Sequence, residues 1–267
     1  MSRKLFKRGA MVMAGAMVAL GVATAAAGSA SAAPSAGVCN GGSIAPGPYT
    51  TLTINGVCTV DQGSVFVTGN LTIKTNGVLI AAFGGSNLIV KGTLTVGNYA
   101  DLILGCEPGA FICFNDPDQV HGTMATSDSV GKLVGNTAQA MIVHRTNIKG
   151  DVKQNMGGGG YNCNSDSNLQ GSPDYTDYED NNVGGSVSVT KVQTCWTGFI
   201  RNQVAGSVVW NNNFAYDPDG NEITSNKIGG DLKCMGNIPA PQVGDSSGGP
   251  NLVAGMRTGQ CQSTLLP

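Results

Sequence analysis

Apolar and polar residues alternate in short runs along most of this chain, and the runs recur. One phrase occurs three times: Asn181-Asn182-Val183-Gly184-Gly185-Ser186-Val187, Asn202-Gln203-Val204-Ala205-Gly206-Ser207-Val208 and Asn226-Lys227-Ile228-Gly229-Gly230-Asp231-Leu232. A looser copy follows at Asn251-Leu252-Val253-Ala254-Gly255, and the aligned glycines 185, 206, 230 and 255 lie 21, 24 and 25 residues apart. Alternation with period two predicts strands with one buried face. A single strand cannot cover that face, whereas a recurrence of this size predicts stacked, coiled strands, each layer about 4.8 Å from the next. Equivalent residues then superpose. Val183, Val204, Ile228 and Val253 form an aliphatic column. Asn181, Asn202, Asn226 and Asn251 form an amide column at a turn, because Asn tolerates left-handed backbone and stacked amides bond to one another. The repeated glycine fits either a bend or a tight inward corner.

Earlier copies carry the pattern toward the start. Val65-Phe66-Val67-Thr68-Gly69-Asn70-Leu71 aligns with Leu88-Ile89-Val90-Lys91-Gly92-Thr93-Leu94, 23 residues on. No helical periodicity interrupts residues 64–105. Weaker copies are Val120-His121-Gly122-Thr123-Met124 and Ile148-Lys149-Gly150-Asp151-Val152. Glycines 56, 69, 92, 122, 150, 185, 206, 230 and 255 mark the coils, although Gly56 stands only 13 residues before Gly69 and is not a full coil. At about 4.8 Å per coil the rod would be on the order of 35–40 Å long. Residues 33–63, rich in Gly and Pro, predict an N-terminal cap over an otherwise open strand edge. Residues 64–267 predict the stack. Its longest step, 35 residues from Gly150 to Gly185, holds a loop excursion at about 155–182. Such excursions are where repeat proteins place function.

Composition adds a compartment. Arg3, Lys4, Lys7 and Arg8 precede an apolar run from Ala10 to Ala27, and Ala30-Ser31-Ala32 is a small-residue cleavage site, so residues 1–32 read as a secretory signal peptide and not a membrane anchor. Of 15 basic residues four lie in this leader, which leaves 11 against 17 acidic ones and a net charge of −6. That balance leaves no basic patch for nucleic acid or an anionic surface. All eight cysteines follow the leader, and an even count in an exported chain predicts four disulfides. Sequence neighbours are spatial neighbours in a stack, which favours Cys39–Cys58, Cys106–Cys113, Cys163–Cys195 and Cys234–Cys261. Zinc is the rival reading, but no Cys-x-x-Cys pair exists.

The phrase, the stacked asparagines and the exported context resemble the bacterial right-handed parallel β-helices of the pectin-lyase-like type, over most of residues 49–260. The resemblance implies an all-β fold, a single right-handed parallel β-helix (solenoid), here with disulfide-stapled ends. It implies little about activity, because that fold serves lyases, hydrolases, adhesins and inert spacers. The copies at 64–96 also resemble bactofilin-like polymer-forming β-helices, which are cytoplasmic, whereas this chain has a leader and paired cysteines.

Candidate chemistry is sparse. Gly244-Asp245-Ser246-Ser247-Gly248-Gly249-Pro250 resembles the serine-protease nucleophile segment, but one extra Ser displaces the glycine that would supply the oxyanion donor. A β-helix lyase would cluster carboxylates on adjacent coils, with a nearby Arg or Lys as base. The position after the phrase glycine reads Asp151, Ser186, Ser207, Asp231, Met256, which does not cluster acids. Within the excursion, Asp174, Asp177 and Asp180 could grip Ca²⁺; separately, Asp217 and Asp219 of a Pro-Asp-Gly turn stand at alternate positions like the start of a calcium loop. Tyr175, Asp177, Tyr178, Glu179 and Trp196 could bind a sugar, the rings acting as stacking platforms. Trp210 aligns with Val189 and Cys234 and reads as core.

Together these features predict a secreted, monomeric, non-catalytic β-helix that acts as a structural or surface-interaction module. Its expected partner is an extracellular polysaccharide or cell-surface component. It needs neither nucleic acid nor a membrane anchor, and no cofactor beyond the calcium alternative. The competing expectation is a polysaccharide lyase or glycoside hydrolase built on the excursion.

Overall fold

The computed structural model describes residues 33–106, 127–169, 171–246 and 248–262, all within one compact unit, Ala33–Pro267. The expected leader, and with it residues 1–32, lies outside them. Among the described residues the chain is all-β. Its strands form a long sheet of 16, a second sheet of eight and a small pair, Gln193–Thr194 with Phe214–Ala215. Every strand pairing is parallel, and the two helical pieces, Gly244–Ser246 and Gln260–Gln262, are short 3-10 turns.

Each strand pairs with its own copy in the next repeat, which is why neighbours in the sheet are parallel. Val183 lies beside Val204, Val204 beside Ile228, and Ile228 beside Val253. Val187, Val208 and Leu232 form the next buried column. Trp210 sits between Val189 and Cys234, fully buried, with its ring centroid 5.6 Å from that of Phe199.

The amide column forms as the phrase predicts. Asn181 donates from its backbone N and from Nδ2 to Asn202 Oδ1, both at 3.0 Å. Asn202 does the same to Asn226 (2.8 and 3.1 Å), and Asn226 to Asn251 (3.1 and 2.8 Å). The residues just before the column, Arg145, Asp180, Arg201 and Ser225, all have φ between +47° and +59°. Left-handed backbone at a non-glycine residue costs about 1–2 kcal/mol, and the buried amide bonds of the same corner offset it. A second column, unread in the sequence, runs from Asn213 through Asn237 to Gln260. Its 24- and 23-residue spacing was the available signal.

The phrase glycines are placed by close approach. None of 185, 206, 230 and 255 has positive φ. Instead Gly206 N donates to Gly185 O at 2.9 Å, Gly230 N to Gly206 O at 2.9 Å and Gly255 N to Gly230 O at 3.0 Å. A Cβ on Gly206 would run into the Gly185 carbonyl and the Ser186 hydroxyl. The tight inward corner is therefore the correct alternative.

Several boundaries differ from the sequence reading. The column passes through Gly131, whose carbonyl accepts from Gly150 N at 2.7 Å, and the copy at Gly122 lies outside the described residues. Val130-Gly131-Lys132 lacks the usual spacer residue, so the pairing slips between Val130 and Lys132. The longest step is then Gly92 to Gly131, 39 residues. Gly56 belongs to another corner, and Thr50 takes its place in the column (Gly69 N to Thr50 O, 2.8 Å). Residues 33–63 are themselves sheet, since Ser35–Cys39 pairs with Tyr49–Ile54. The excursion proper is 156–174, because Tyr175–Glu179 and Asn182–Val183 are strands of the two sheets.

Disulfides join Cys39–Cys58, Cys163–Cys195 and Cys234–Cys261. Cys106 is also disulfide-bonded, and Cys113 lies outside the described residues. No helix among the described residues is long and apolar enough to cross a membrane.

Asn202 is fully buried and also donates to Tyr178 O at 2.8 Å. Asn202→Ala orphans the Asn181 N–H and the Tyr178 carbonyl and should cost about 2–4 kcal/mol, at about 1–3 kcal/mol per unsatisfied buried group. Exposed Gln203→Ala should stay within about 0.5 kcal/mol. Urea-unfolding midpoints check both.

Candidate functional site

The second sheet is buried on both faces, and its outward face collects the ionisable side chains. Inward residues Leu102, Leu104, Met141, Val143, Tyr178, Phe199 and Ile223 join the main core. Outward residues alternate with them. Register aligns Ile103, Ile142, Asp177, Gly198 and Glu222 in one column, and His144, Glu179, Ile200 and Thr224 in the next. Near the early layers of this face Ile103, Ala140 and Ile142 form a small second core with Leu169 of the excursion, beside the buried Asp101.

The first ionisable group is His144, Asp177, Glu179, Asp180 and Arg201. His144 Nε2 lies 3.0 Å from Asp177 Oδ2, and His144 Nδ1 lies 4.0 Å from Glu179 Oε2. Arg201 donates from Nη2 to Glu179 Oε2 (2.6 Å) and from Nε and Nη2 to Asp180 (2.9 and 2.7 Å). Only 2% of His144 and 5% of Asp177 reach solvent. Burial, then the charge of Asp177, pushes the Glu179 carboxyl up to about 7, against the pull of His144 and Arg201. Hydrogen bonding to Asp180 raises the Arg201 guanidinium further.

The second group is Asp101, Asp166 and Asp174, where the excursion returns to the sheet. Gln139 Nε2 donates to Asp166 Oδ2 at 2.6 Å and to Asp174 Oδ1 at 3.4 Å. Asn168 Nδ2 and Ala140 N donate to the two Asp101 oxygens at 3.1 and 3.2 Å. Burial, then the charge of Asp166, pushes Asp101 up to about 7. Burial, then a hydrogen bond to Asp166, does the same to Asp174. Each group brings three ligand-type atoms within 4.8 Å of one another, close enough to share a cation. Arg201 and the neighbouring amides already engage those oxygens, and we assign no metal to either group.

The residues singled out in the sequence scatter over this surface. Asp174 falls in the second group, beside Gln139, whereas Asp177 and Asp180 both fall in the first, beside His144 and Arg201 respectively. Asp217 Oδ1 accepts from Asp219 N at 3.0 Å, closing its own turn. Tyr178 is 1% exposed and donates to Gln154 Oε1 at 2.9 Å, so it offers no stacking face. Tyr175 and Trp196 are half-buried and meet edge to face at 6.3 Å. The Trp196 ring lies over Gly198, where a Cβ would strike it, and Nε1 donates to Glu222 Oε1 at 3.0 Å. Ser246 turns its hydroxyl to Val243 O at 2.5 Å, and Ser247 of the protease-like segment lies outside the described residues.

His144, Arg201, Asp101, Asp166 and Glu222 were not anticipated. A signal existed. Counting back two residues from Thr146, Asn181, Asn202 and Asn226 gives His144, Glu179, Ile200 and Thr224. Counting back four gives Ile142, Asp177, Gly198 and Glu222. The stacking test applied only to the phrase could not see this face.

No family model, curated protein or solved structure matches this chain. The site therefore has to be read from its own geometry.

That geometry carries a pH signature. Asp101 and Asp174 titrate near 7 when folded and near 4 when unfolded. The folded chain thus binds more protons across that window, and stability should fall as pH rises through it. Asp174→Asn removes one such carboxyl and should flatten the slope. Urea midpoints between about pH 5 and about pH 8 check this, and an unchanged slope would contradict it.

Proposed function

We propose that this protein is an exported, non-catalytic surface-interaction module built on a right-handed parallel β-helix of the pectin-lyase-like type. Uniformly parallel pairing at a repeat of 14–40 residues supports the winding, and parallel crossovers are right-handed in nearly all proteins. Three disulfides support an oxidising compartment.

The observation that carries the non-catalytic reading is the engagement of the acids. On the outward face of the second sheet His144 holds Asp177, Arg201 holds Glu179 and Asp180, and Trp196 and Ser246 N hold Glu222. The partner reading draws on a groove of about 640 Å³ beside the excursion, lined by Tyr99, Gln139, Lys191, Gln193 and Phe214. Exposed Tyr161 and Tyr216 meet edge to face at 5.4 Å next to it. Aromatic faces with amide side chains suit a polysaccharide strand. No step of this reading uses calcium or another cofactor.

A second reading, a polysaccharide lyase or hydrolase, draws on the close His144–Asp177 contact and on Glu179 poised near neutrality. A panel of polysaccharides separates the two. The module reading expects no reducing ends and no unsaturated product from any polymer, and weaker retention on a neutral glycan after Tyr99→Ala. Turnover abolished by His144→Ala would establish the enzyme instead.

A further inference from the structure

The long sheet turns one face outward, and its side chains carry a charge pattern that composition hides. Lys91, Lys149 and Lys227 are exposed just before the phrase-glycine corner, and Lys132, Lys153 and Lys233 just beyond it. They are six of the 11 basic residues that follow residue 32 in a stretch of net charge −6. The expectation of no basic patch therefore fails. Lys91, Lys132, the pair Lys149/Lys153 and the pair Lys227/Lys233 are far apart in sequence, and the parallel register brings the first three of these together.

Four of them crowd into three successive layers. Lys132 pairs with Thr93, on the strand that carries Lys91. Lys153 pairs with Val134, two residues past Lys132. Lys149 N donates to Val130 O at 2.9 Å, which puts Lys149 in the layer after Lys132. The Lys132 stem crosses Gly150, where a Cβ would stand 2.9 Å from its Cγ. With layers about 4.8 Å apart, the four ammonium groups fall within roughly 10–15 Å.

Little opposes this charge. Asp151 and Asp231 are the acids among the described outward positions of the sheet, and their Oδ1 atoms accept from Ser186 N (3.0 Å) and Met256 N (2.8 Å). None of the six lysines joins an ion pair among the described residues. Lys91 lies 5.1 Å above the Phe66 ring. Two grooves open beside these lysines, one on each side of the glycine corner. One of about 620 Å³ contains Gln203, Lys227 and Arg257, and one of about 440 Å³ contains Ser207 and Lys233.

We infer that the outward face of the long sheet docks a linear anionic glycan, one carrying carboxylate or phosphate groups along its length. The parallel stack sets out cations in three consecutive layers (Lys91; Lys132; Lys149 and Lys153) and again three layers further on (Lys227 and Lys233), where a long polymer with repeated charges can meet both groups. Lysine heads act as mobile point charges that accept either anion. Single-stranded nucleic acid fits poorly, because it needs aromatic stacking platforms and among the described outward positions of this sheet only Phe66 is aromatic, already beneath Lys91. The inference rests on the surface-module reading but places this contact on the other sheet, away from the Tyr99 groove.

The test is retention of the full chain on an immobilised polyuronate and on a polyol-phosphate polymer at rising salt. A neutral glucan and single-stranded DNA serve as comparison matrices. The parent should bind at least one anionic polymer, with retention falling steeply as salt rises. Replacing Lys91, Lys132, Lys149 and Lys153 together by Gln should weaken that binding at least tenfold, while Tyr99→Ala leaves it intact. If the fourfold variant does not fold, Lys132→Gln and Lys153→Gln singly should each lower the salt slope by about one. The preferred polymer decides between carboxylate and phosphate. Equal binding by folded lysine variants, or tighter binding to DNA than to either polymer, overturns the inference. Neutral glucan bound through Tyr99 with neither anionic polymer bound overturns it and leaves the module reading standing. If no glycan binds, both fall.

Discussion

The backbone at the corners is the constraint on which the rest of this molecule depends. Between sheets the chain has to turn, and a turn inside a stack buries N–H and C=O groups that no strand ladder satisfies. Here the repair is made by the neighbouring layer. Each column asparagine accepts from the backbone and the amide of the one before it, and returns a hydrogen to a carbonyl one layer back, as Asn202 does to Tyr178 and Asn226 to Phe199. The left-handed residues beside them are tolerable only because these bonds hold the corner. The repair works when every layer turns at the same place, which is what keeps Val, Asn and Gly in register over most of the described chain.

That dependence explains what was legible. A residue whose role is set by the layer above and below has to recur, and recurrence survives in one sequence. The aliphatic and amide columns, the buried Trp210 and three disulfide pairs could all be read that way. Gly131 could not, because one spacer residue is missing and the phrase loses its shape. The second amide column was hidden because it changes residue type, from Asn237 to Gln260. The outward face of the second sheet was opaque for a different reason. Its residues answer to the solvent side or to the excursion, so His144, Glu179, Ile200 and Thr224 stack in one column without resembling each other.

The serine and aspartate positions after the phrase glycine show how easily such a column misleads. Asp151 and Asp231 look like separated halves of an acidic site. Their oxygens in fact accept the backbone N–H one layer on, and Ser186 and Ser207 do the same for Ser207 N and Asp231 N. An acceptor is all the position requires. Asp and Ser are interchangeable there for a reason unrelated to catalysis.

The same register that satisfies the backbone also partitions charge. Alternation sends every second side chain outward, and parallel stacking then sets outward residues of one sheet side by side for the length of the stack. Like charges so aligned would repel if each layer carried one. The long sheet dilutes its lysines with Ser, Thr, Val and small residues, as along Lys153, Ser188, Val209 and Lys233. The second sheet engages Asp177, Glu179 and Asp180 internally with His144 and Arg201. One face therefore keeps its charge available to solvent and the other ties up part of its own. A chain of net negative charge can in this way present a cationic surface, because the sign a partner meets is decided by the face and not by the total.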